Sequence, residues 1–324
     1  MLPDGRRLGA HLPLAPGMVK AVDRAHAIGA SAIQIFTDNP TAWRRRREPS
    51  AQLAAFRTKS AELDIRPVAI HASYLVNLPG PDAATFERSV AMLAGELAGA
   101  RAFGGRYVNV HIGSHRGTGV EVGTARLVDG ILEVLALADA IGDGADGGSA
   151  ERATLVLENS VGGGGGLGTS LDELAAIADI LGTRGVRSAD VGFCLDLAHA
   201  WGAGIDVGKP AVVDAFLSAF DARIGLDRLV LVHLNDTRSA LGSRTDRHEH
   251  LAAGRIPATG LAHVLRHPRL IDATYILETP GMDAGYDAIN MERARALWAG
   301  EPLRPLPKGA FELAGSARGR MAAT

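Results

Sequence analysis

The sequence predicts an α/β fold: a (β/α)8 TIM barrel forming a single domain. Three observations carry this. Eight short apolar runs recur along the chain, amphipathic helical stretches separate most of them, and residues able to do chemistry sit at the C-terminal ends of the runs. The runs are 8–11, 32–36, 68–71, 107–111, 155–158, 191–195, 229–234 and 275–278. Their starts lie 24, 36, 39, 48, 36, 38 and 46 residues apart, room for a strand and a crossover helix each time. Among the stretches between them, 89–102 places Val90, Leu93, Leu97 and Ala98 on one side of a helix. The stretch 124–140 does the same with Leu127, Ile131, Val134, Leu135 and Ala138. A doubly wound open sheet is the competing fold, but it would gather its ligand residues at one reversal of strand order.

Composition bounds the rest. A chain of 324 residues with 47% hydrophobic residues can bury one large core, and barrels use this length as one domain. The barrel is therefore expected over residues 1–300, with 301–324 a partly disordered tail rich in Pro, then Gly and Ala. A formal charge of −2 excludes a polybasic tail protein, although not a locally basic groove. Cys194 is the only cysteine, which excludes an internal disulfide framework and a four-cysteine zinc site. No apolar run reaches 18 residues and the N-terminus lacks a signal-like apolar segment, so a cytoplasmic protein without membrane contact is expected. Glycine is concentrated in two segments. Gly142–Ser149 reads as a passive loop, and Gly162–Gly166 as a loop on the functional rim just after Glu158.

The strand ends hold the chemical signal. The third run ends in His71, the fourth in His111 and the fifth in Glu158. The sixth leads into Asp196 and His199, the seventh contains His233 and is followed by Asp246 and His248, and the eighth ends in Glu278. A barrel brings all of these to one rim. So many ionisable groups in a confined mouth desolvate and repel one another unless cations join them. Nine oxygen and nitrogen ligands exceed the three or four that one ion takes, so a multinuclear centre competes with a single ion plus an acid/base pair. The donor set suits Zn2+, with Mn2+ or Fe2+ able to substitute. Cys194 shares a strand face with Asp196 and reads as a core residue near the ions. His26, His263 and His267 lie in helical stretches and read as structural or surface residues. His11 and His115 are candidates for hydrogen bonds to the ligands or for packing, and His250 has no assigned role.

The residues that carry this signal resemble the endonuclease IV family of zinc-dependent apurinic/apyrimidinic endonucleases. The matching stretches are GAH (9–11), IQIFTDNPTAW (33–43), HASYLVNL (71–78), NVHIGSH (109–115), VLENSVGGG (156–164), GFCLDLAHAWGAGID (192–206), VHLNDTRSALGSRTDRHEH (232–250) and ILETPG (276–281). The resemblance implies a (β/α)8 fold with three zinc ions. His71, His111 and Glu158 would hold the first. Glu158 would bridge to the second, with Asp196, His233 and Glu278, and His199, Asp246 and His248 would hold the third. Glu158 and Glu278 would be the catalytic carboxylates, chiefly as ligands. Tyr74 and Leu75 match residues that open DNA at the lesion. Three positions depart from the family: Ala72 replaces an acidic residue, Thr41 a loop arginine, and Ala252-Ala253-Gly254 a GEG-like segment.

The activity implied is hydrolysis of the phosphodiester 5′ of an abasic site in double-stranded DNA, leaving a 3′-hydroxyl and a 5′-deoxyribose phosphate, by a monomer. Arg44 and Arg45, with Arg46 and Arg47, and Arg238, Arg244 and Arg247 are candidate phosphate contacts. Three divalent ions add six charges to the formal −2 and give +4, concentrated where DNA would dock. Two other classes stay open on the residues alone. One is a divalent-metal sugar isomerase or epimerase on the same barrel, using one or two ions. The other is a non-enzymatic nucleic-acid binding module.

Overall fold

The computed structural model describes residues 1–15, 17–43, 51–143, 152–281 and 284–312. Eight parallel strands close a barrel: β1 (Leu8–His11), β2 (Ala32–Ile35), β3 (Val68–His71), β4 (Gly105–His111), β5 (Thr154–Glu158), β6 (Val191–Asp196), β7 (Leu229–His233) and β10 (Thr274–Leu277). Their order around the barrel is β1-β10-β7-β6-β5-β4-β3-β2, so neighbours in sequence are neighbours in space. Each of the eight apolar runs is one of these strands. A separate antiparallel pair, β8 (Asp236–Thr237) and β9 (His248–Glu249), pins the long loop after β7.

The helices among the described residues are α1 (Met18–Ala27), α2 (Leu53–Glu62), α3 (Ala83–Gly99), α4 (Val120–Asp143), α5 (Leu171–Thr183), α6 (Leu197–Ala203), α7 (Pro210–Arg223), α8 (Ala258–Arg266), α9 (Asp287–Ala299) and α10 (Lys308–Glu312). Helix α3 starts six residues before the expected stretch 89–102, because Asp82 caps it by accepting the Thr85 N–H at 2.7 Å. Ser170 caps α5, while Glu173 reaches back to the N–H groups of Gly168 and Thr169. Helix α4 runs through Gly142 and Asp143, so the expected loop does not begin at 142; residues 144–149 lie outside the described part. The tail is packed as far as α10. Ala310 is buried, and its carbonyl accepts from His250 Nε2 at 3.0 Å. That bond gives His250 a structural role, and residues 313–324 lie outside the described part. Among the described residues no helix is long and apolar enough to cross a membrane.

Two shells of apolar packing hold the barrel. Outward-facing residues such as Ile33, Ile70, Val108, Leu155, Phe193 and Val232 pack under the helices in one large core. Inside, a small layer of Ala69, Tyr107, Val156, Cys194 and Leu231 fills the barrel. Side chains alternate faces along a strand, so the residue two positions on points inward again, one layer higher. Those residues are His71, Asn109, Glu158, Asp196 and His233. The polar site is therefore the next layer of the barrel's own interior, resting on an apolar floor that includes Cys194.

Candidate metal centre

Strand register sets the ligand residues side by side: His111 is level with Glu158 and Asp196 with His233. All of these except His111 are nearly or fully buried. Glu158 is central. Its Oε2 lies 3.6 Å from both His71 Nε2 and His111 Nε2, and its Oε1 lies 3.3 Å from His233 Nδ1. His233 Nδ1 is also 3.3 Å from Glu278 Oε2 and 3.7 Å from Asp196 Oδ2. On the open side, His199 Nε2 lies 3.3 Å and His248 Nε2 3.1 Å from opposite oxygens of Asp246.

The ligand atoms fall into groups able to share an ion: His71/His111/Glu158; Glu158/Asp196/His233/Glu278; and Asp196/His199/His248. Asp196 joins the second and third groups, a sharing the sequence did not show. All nine strand-end residues are thus brought together.

Four of the five imidazoles are held by a carbonyl oxygen through one ring nitrogen, which faces away from the centre in His71, His233 and His248, whereas His199 Nδ1 also lies 3.2 Å from Glu158 Oε1. His71 Nδ1 donates to the Ala72 carbonyl (2.8 Å), His199 Nδ1 to the Asn159 carbonyl (2.9 Å) and His248 Nδ1 to the Glu278 carbonyl (3.0 Å). His233 Nε2 donates to Gln34 Oε1 (3.0 Å). A carbonyl can only accept, so each neutral ring turns a lone pair toward the carboxylates, as a metal ligand must. Meanwhile Glu158 Oε1, His233 Nδ1 and His248 Nε2 are buried without a hydrogen-bond partner. Orphaned buried atoms of this kind are costly, and a shared cation satisfies them together. The residues fit divalent metal.

The carboxylates are steadied by amides that sequence reasoning missed. Asn109 Nδ2 donates to Glu158 Oε2 (2.6 Å) and Gln34 Nε2 to Glu278 Oε1 (2.7 Å). Asn235 Nδ2 donates to Asp196 Oδ2 (2.6 Å) and to Glu278 Oε2 (3.1 Å). The other oxygen of Asp196 caps α6 by accepting the His199 N–H at 2.7 Å, so one carboxylate ends a strand, starts a helix and places the next ligand. His11, beside Glu278 and Gln34, belongs to this supporting layer.

Without cations the centre holds positive charge as protons. Burial works against a charged His248, but Asp246 and Asp196 outweigh it and lift the imidazole to about 10. Burial likewise opposes charge on His233 and His199, yet Cys194 with Glu278 and Glu158 around His233, and Asp196 and Asp246 around His199, push them well above the usual histidine range. Burial raises Glu158, and the facing imidazoles of His233, His111 and His199 more than reverse it, holding Glu158 well below the usual carboxylate range. His111 alone among the five is lowered, chiefly by burial.

The rim around the centre is a cavity of about 630 Å³. Tyr74 stands exposed at its edge, its ring 5.6 Å from that of His71 and 5.9 Å from that of His111. Leu75 lines the same cavity, half-buried. Opposite, the loop after β4 is bonded to the glycine-rich loop after β5. Ser114 Oγ donates to the Gly164 carbonyl (2.5 Å), His115 N to Gly165 (3.0 Å), and Leu167 N to Gly113 (2.9 Å). His115 thus serves the loop: its Nδ1 accepts the N–H groups of Gly117 and Gly119.

Comparison with known proteins agrees with this geometry. The family model described as xylose isomerase-like TIM barrel matches residues 22–303. Endonuclease 4 of Thermus thermophilus is 40% identical over 292 residues, covering 90% of this chain and 97% of that protein. A probable endonuclease 4 of Methanoculleus marisnigri is 38% identical over 291 residues, covering 90% and 98%. A crystal structure of endonuclease IV from Thermus thermophilus superposes with a TM-score of 0.76 at 39% identity, over 91% of this chain and 99% of that one. The chain belongs to the endonuclease IV family.

For an endonuclease IV chain the departures now have locations. Ala72 is buried, and only its carbonyl serves His71, so the loss of an acidic side chain leaves that bond intact. Thr41 is exposed and turned back on its own loop, bonded to Asn39 Oδ1. At Gly254, an added Cβ would come within 2.4 Å of Asp236 Oδ1 and the Thr237 carbonyl, so this glycine is required for the backbone to close over the β8 strand. Arg244 and Arg247 are exposed on the loop that carries Asp246, and Arg44 and Arg45 lie outside the described residues. Fold likeness extends to sugar epimerases: an L-ribulose 3-epimerase matches with a TM-score of 0.60 at 19% identity, over 98% of this chain and 93% of that one. At that identity the likeness speaks for the fold alone.

Proposed function

We propose that the protein is a zinc-dependent apurinic/apyrimidinic endonuclease of base excision repair. It hydrolyses the phosphodiester 5′ of an abasic site in duplex DNA and leaves a 3′-hydroxyl and a 5′-deoxyribose phosphate. The observation that carries this reading is the set of imidazoles each fixed at one nitrogen by a carbonyl oxygen while the other nitrogen faces the carboxylates of the centre. His71, His111 and Glu158 would hold one ion, Glu158, Asp196, His233 and Glu278 a second, and His199, Asp246 and His248 a third, with Asp196 close to both of the last two. Divalent ions there supply hydroxide near neutral pH and neutralise charge that develops on a phosphate.

The chain's own residues set the geometry of attack. Glu158, clamped by Asn109, keeps a fixed oxygen on the cavity floor, and Glu278, clamped by Gln34 and Asn235, keeps its oxygens fixed within the centre. Tyr74 and Leu75 present a ring and an apolar side chain at the edge, suited to fill the gap left by a missing base and to stabilise the opened duplex. Arg244 and Arg247 offer cations to flanking phosphates. An isomerase reading gains no support from any particular contact here.

The test is a duplex bearing one tetrahydrofuran site, incubated with zinc-loaded protein. A single nick 5′ of the analogue is expected. Intact DNA in the presence of fully loaded protein would sink the proposal.

A further inference from the structure

We infer that a further divalent-cation site lies on the outer wall of the barrel, between α7 and α8, formed by Asp214, His263 and His267. His263 and His267 are four residues apart at the end of α8, so their rings lie on one face, with centroids 5.4 Å apart. Both aim Nε2 at the same oxygen of the neighbouring helix. Asp214 Oδ1 is 2.5 Å from His263 Nε2 and 3.3 Å from His267 Nε2, and all three ligand atoms lie within 4.8 Å of one another. Metal–nitrogen and metal–oxygen bonds of about 2.0–2.2 Å in a tetrahedral arrangement place ligand atoms roughly 3.3–3.5 Å apart. The His267–Asp214 pair already has that separation. The His263–Asp214 pair must widen slightly, which an Asp214 side chain 54% exposed on a helix surface can do by rotation.

The surroundings favour an ion rather than a third side chain. Arg269 is bonded to Ser218 and Asp221 further along α7 and leaves Asp214 to the histidines. Two imidazoles and one carboxylate suit Zn2+, Ni2+ or Cu2+, with water in the fourth position, and do not suit the all-oxygen preference of Mg2+ or Ca2+. One feature sets the strength. His267 Nδ1 accepts a long 3.3 Å bond from the Arg269 N–H, so ligation through Nε2 places the ring proton on Nδ1 and gives that bond up. The site is therefore weaker than the centre in the barrel mouth and is the first to empty on chelation. It clips α7 to α8 far from the rim, and it is independent of the catalytic reading.

The test compares wild-type holoprotein with Asp214→Asn and His263→Ala, leaving the nearly buried His267 in place. Each is dialysed against about 10 μM free Zn2+, which saturates sites of micromolar affinity, and its zinc is counted by elemental analysis. Both variants are expected to hold one zinc fewer per chain than wild type, with cleavage of the tetrahydrofuran duplex within about twofold. Added zinc is expected to raise the Tm of the loaded wild type and not that of the variants. Equal zinc content in all three proteins overturns the inference, as does a wild-type excess that appears only at millimolar zinc.

Discussion

At the N-terminal end of the barrel, Arg152 meets Asp139 and Asp190, Arg187 meets Asp190, and Arg228 gives two N–H groups to the Val191 carbonyl beneath its contact with the Phe193 ring. At the C-terminal end, four carboxylates and five imidazoles face one another, and Glu158 Oε1, His233 Nδ1 and His248 Nε2 are left without partners. Both ends concentrate charge at the ends of the same strands. One pairs its charged groups with opposite charges in the chain, although Arg152 Nε is buried without a partner, and the other gathers carboxylates and imidazoles that a cation would join. Charge density alone does not mark the site. Ligand atoms that are buried without partners and converge within 4.8 Å of one another do, and that difference separates structural ion pairs from a metal centre.

The comparison can be broken most directly at Glu158. Replacing Glu158 with Gln keeps its size and removes its charge. Even an outer-shell partner of a ligand is worth about 10–100-fold, so cleavage is expected to fall by more than about 100-fold while DNA binding partly persists. Elemental analysis is expected to show less than the wild-type zinc content. Wild-type cleavage by E158Q would end the case for Glu158 as the shared ligand.

Chelated protein sharpens the contrast through pH. With metal removed, His248 in the folded chain holds its proton up to about 10, against an unfolded value near 6.5. The stabilisation this gives is fully present below the unfolded value and is lost as pH rises through the folded one. Denaturant melts of chelated protein are therefore expected to weaken between about pH 6.5 and 10, by on the order of a few kcal/mol. Zinc-loaded protein is expected to lack this slope, because the metal replaces the proton. The same slope in both forms would show that ions do not occupy His248.

The smallest effect belongs to the other end. Asp190→Asn weakens the pairs with Arg152 and the exposed Arg187, and is expected to cost about 1 kcal/mol in a denaturant melt. Zinc content and cleavage are expected to stay at wild-type values. A change in zinc content would mean that the two ends are coupled through the strands.

Much of this was legible because a barrel strand has a two-residue period. Knowing that Cys194 is interior places Asp196 one layer higher, and the same step leads from Val156 to Glu158 and from Leu231 to His233. The nine ligand residues stand out because imidazoles and carboxylates are expensive to bury. The amides that orient them do not. Gln34, Asn109, Asn159 and Asn235 have neutral side chains that occur in any loop or strand end, and only the folded chain shows that each one meets a ligand residue or its backbone. The double duty of Asp196 was hidden because a helix cap and a ligand carboxylate look alike in sequence. His263 and His267 read as structural because their third partner, Asp214, is about 50 residues away on another helix. Their four-residue spacing was the one available hint.

The glycine-rich wall has a consequence for how a substrate is met. Gly162–Gly166 is the stretch of the chain with the most backbone freedom to lose. Its bonds to Ser114 and His115, and that of the following Leu167 to Gly113, are already made in the free protein, so that freedom is given up during folding rather than at each encounter. A preformed wall lowers the entropic cost of association. It also leaves more of the deformation to the partner. The bending falls to the nucleic acid, and an abasic position, where one strand has already lost its stacking, bends most cheaply. Compliance in the substrate then adds to the discrimination of damage.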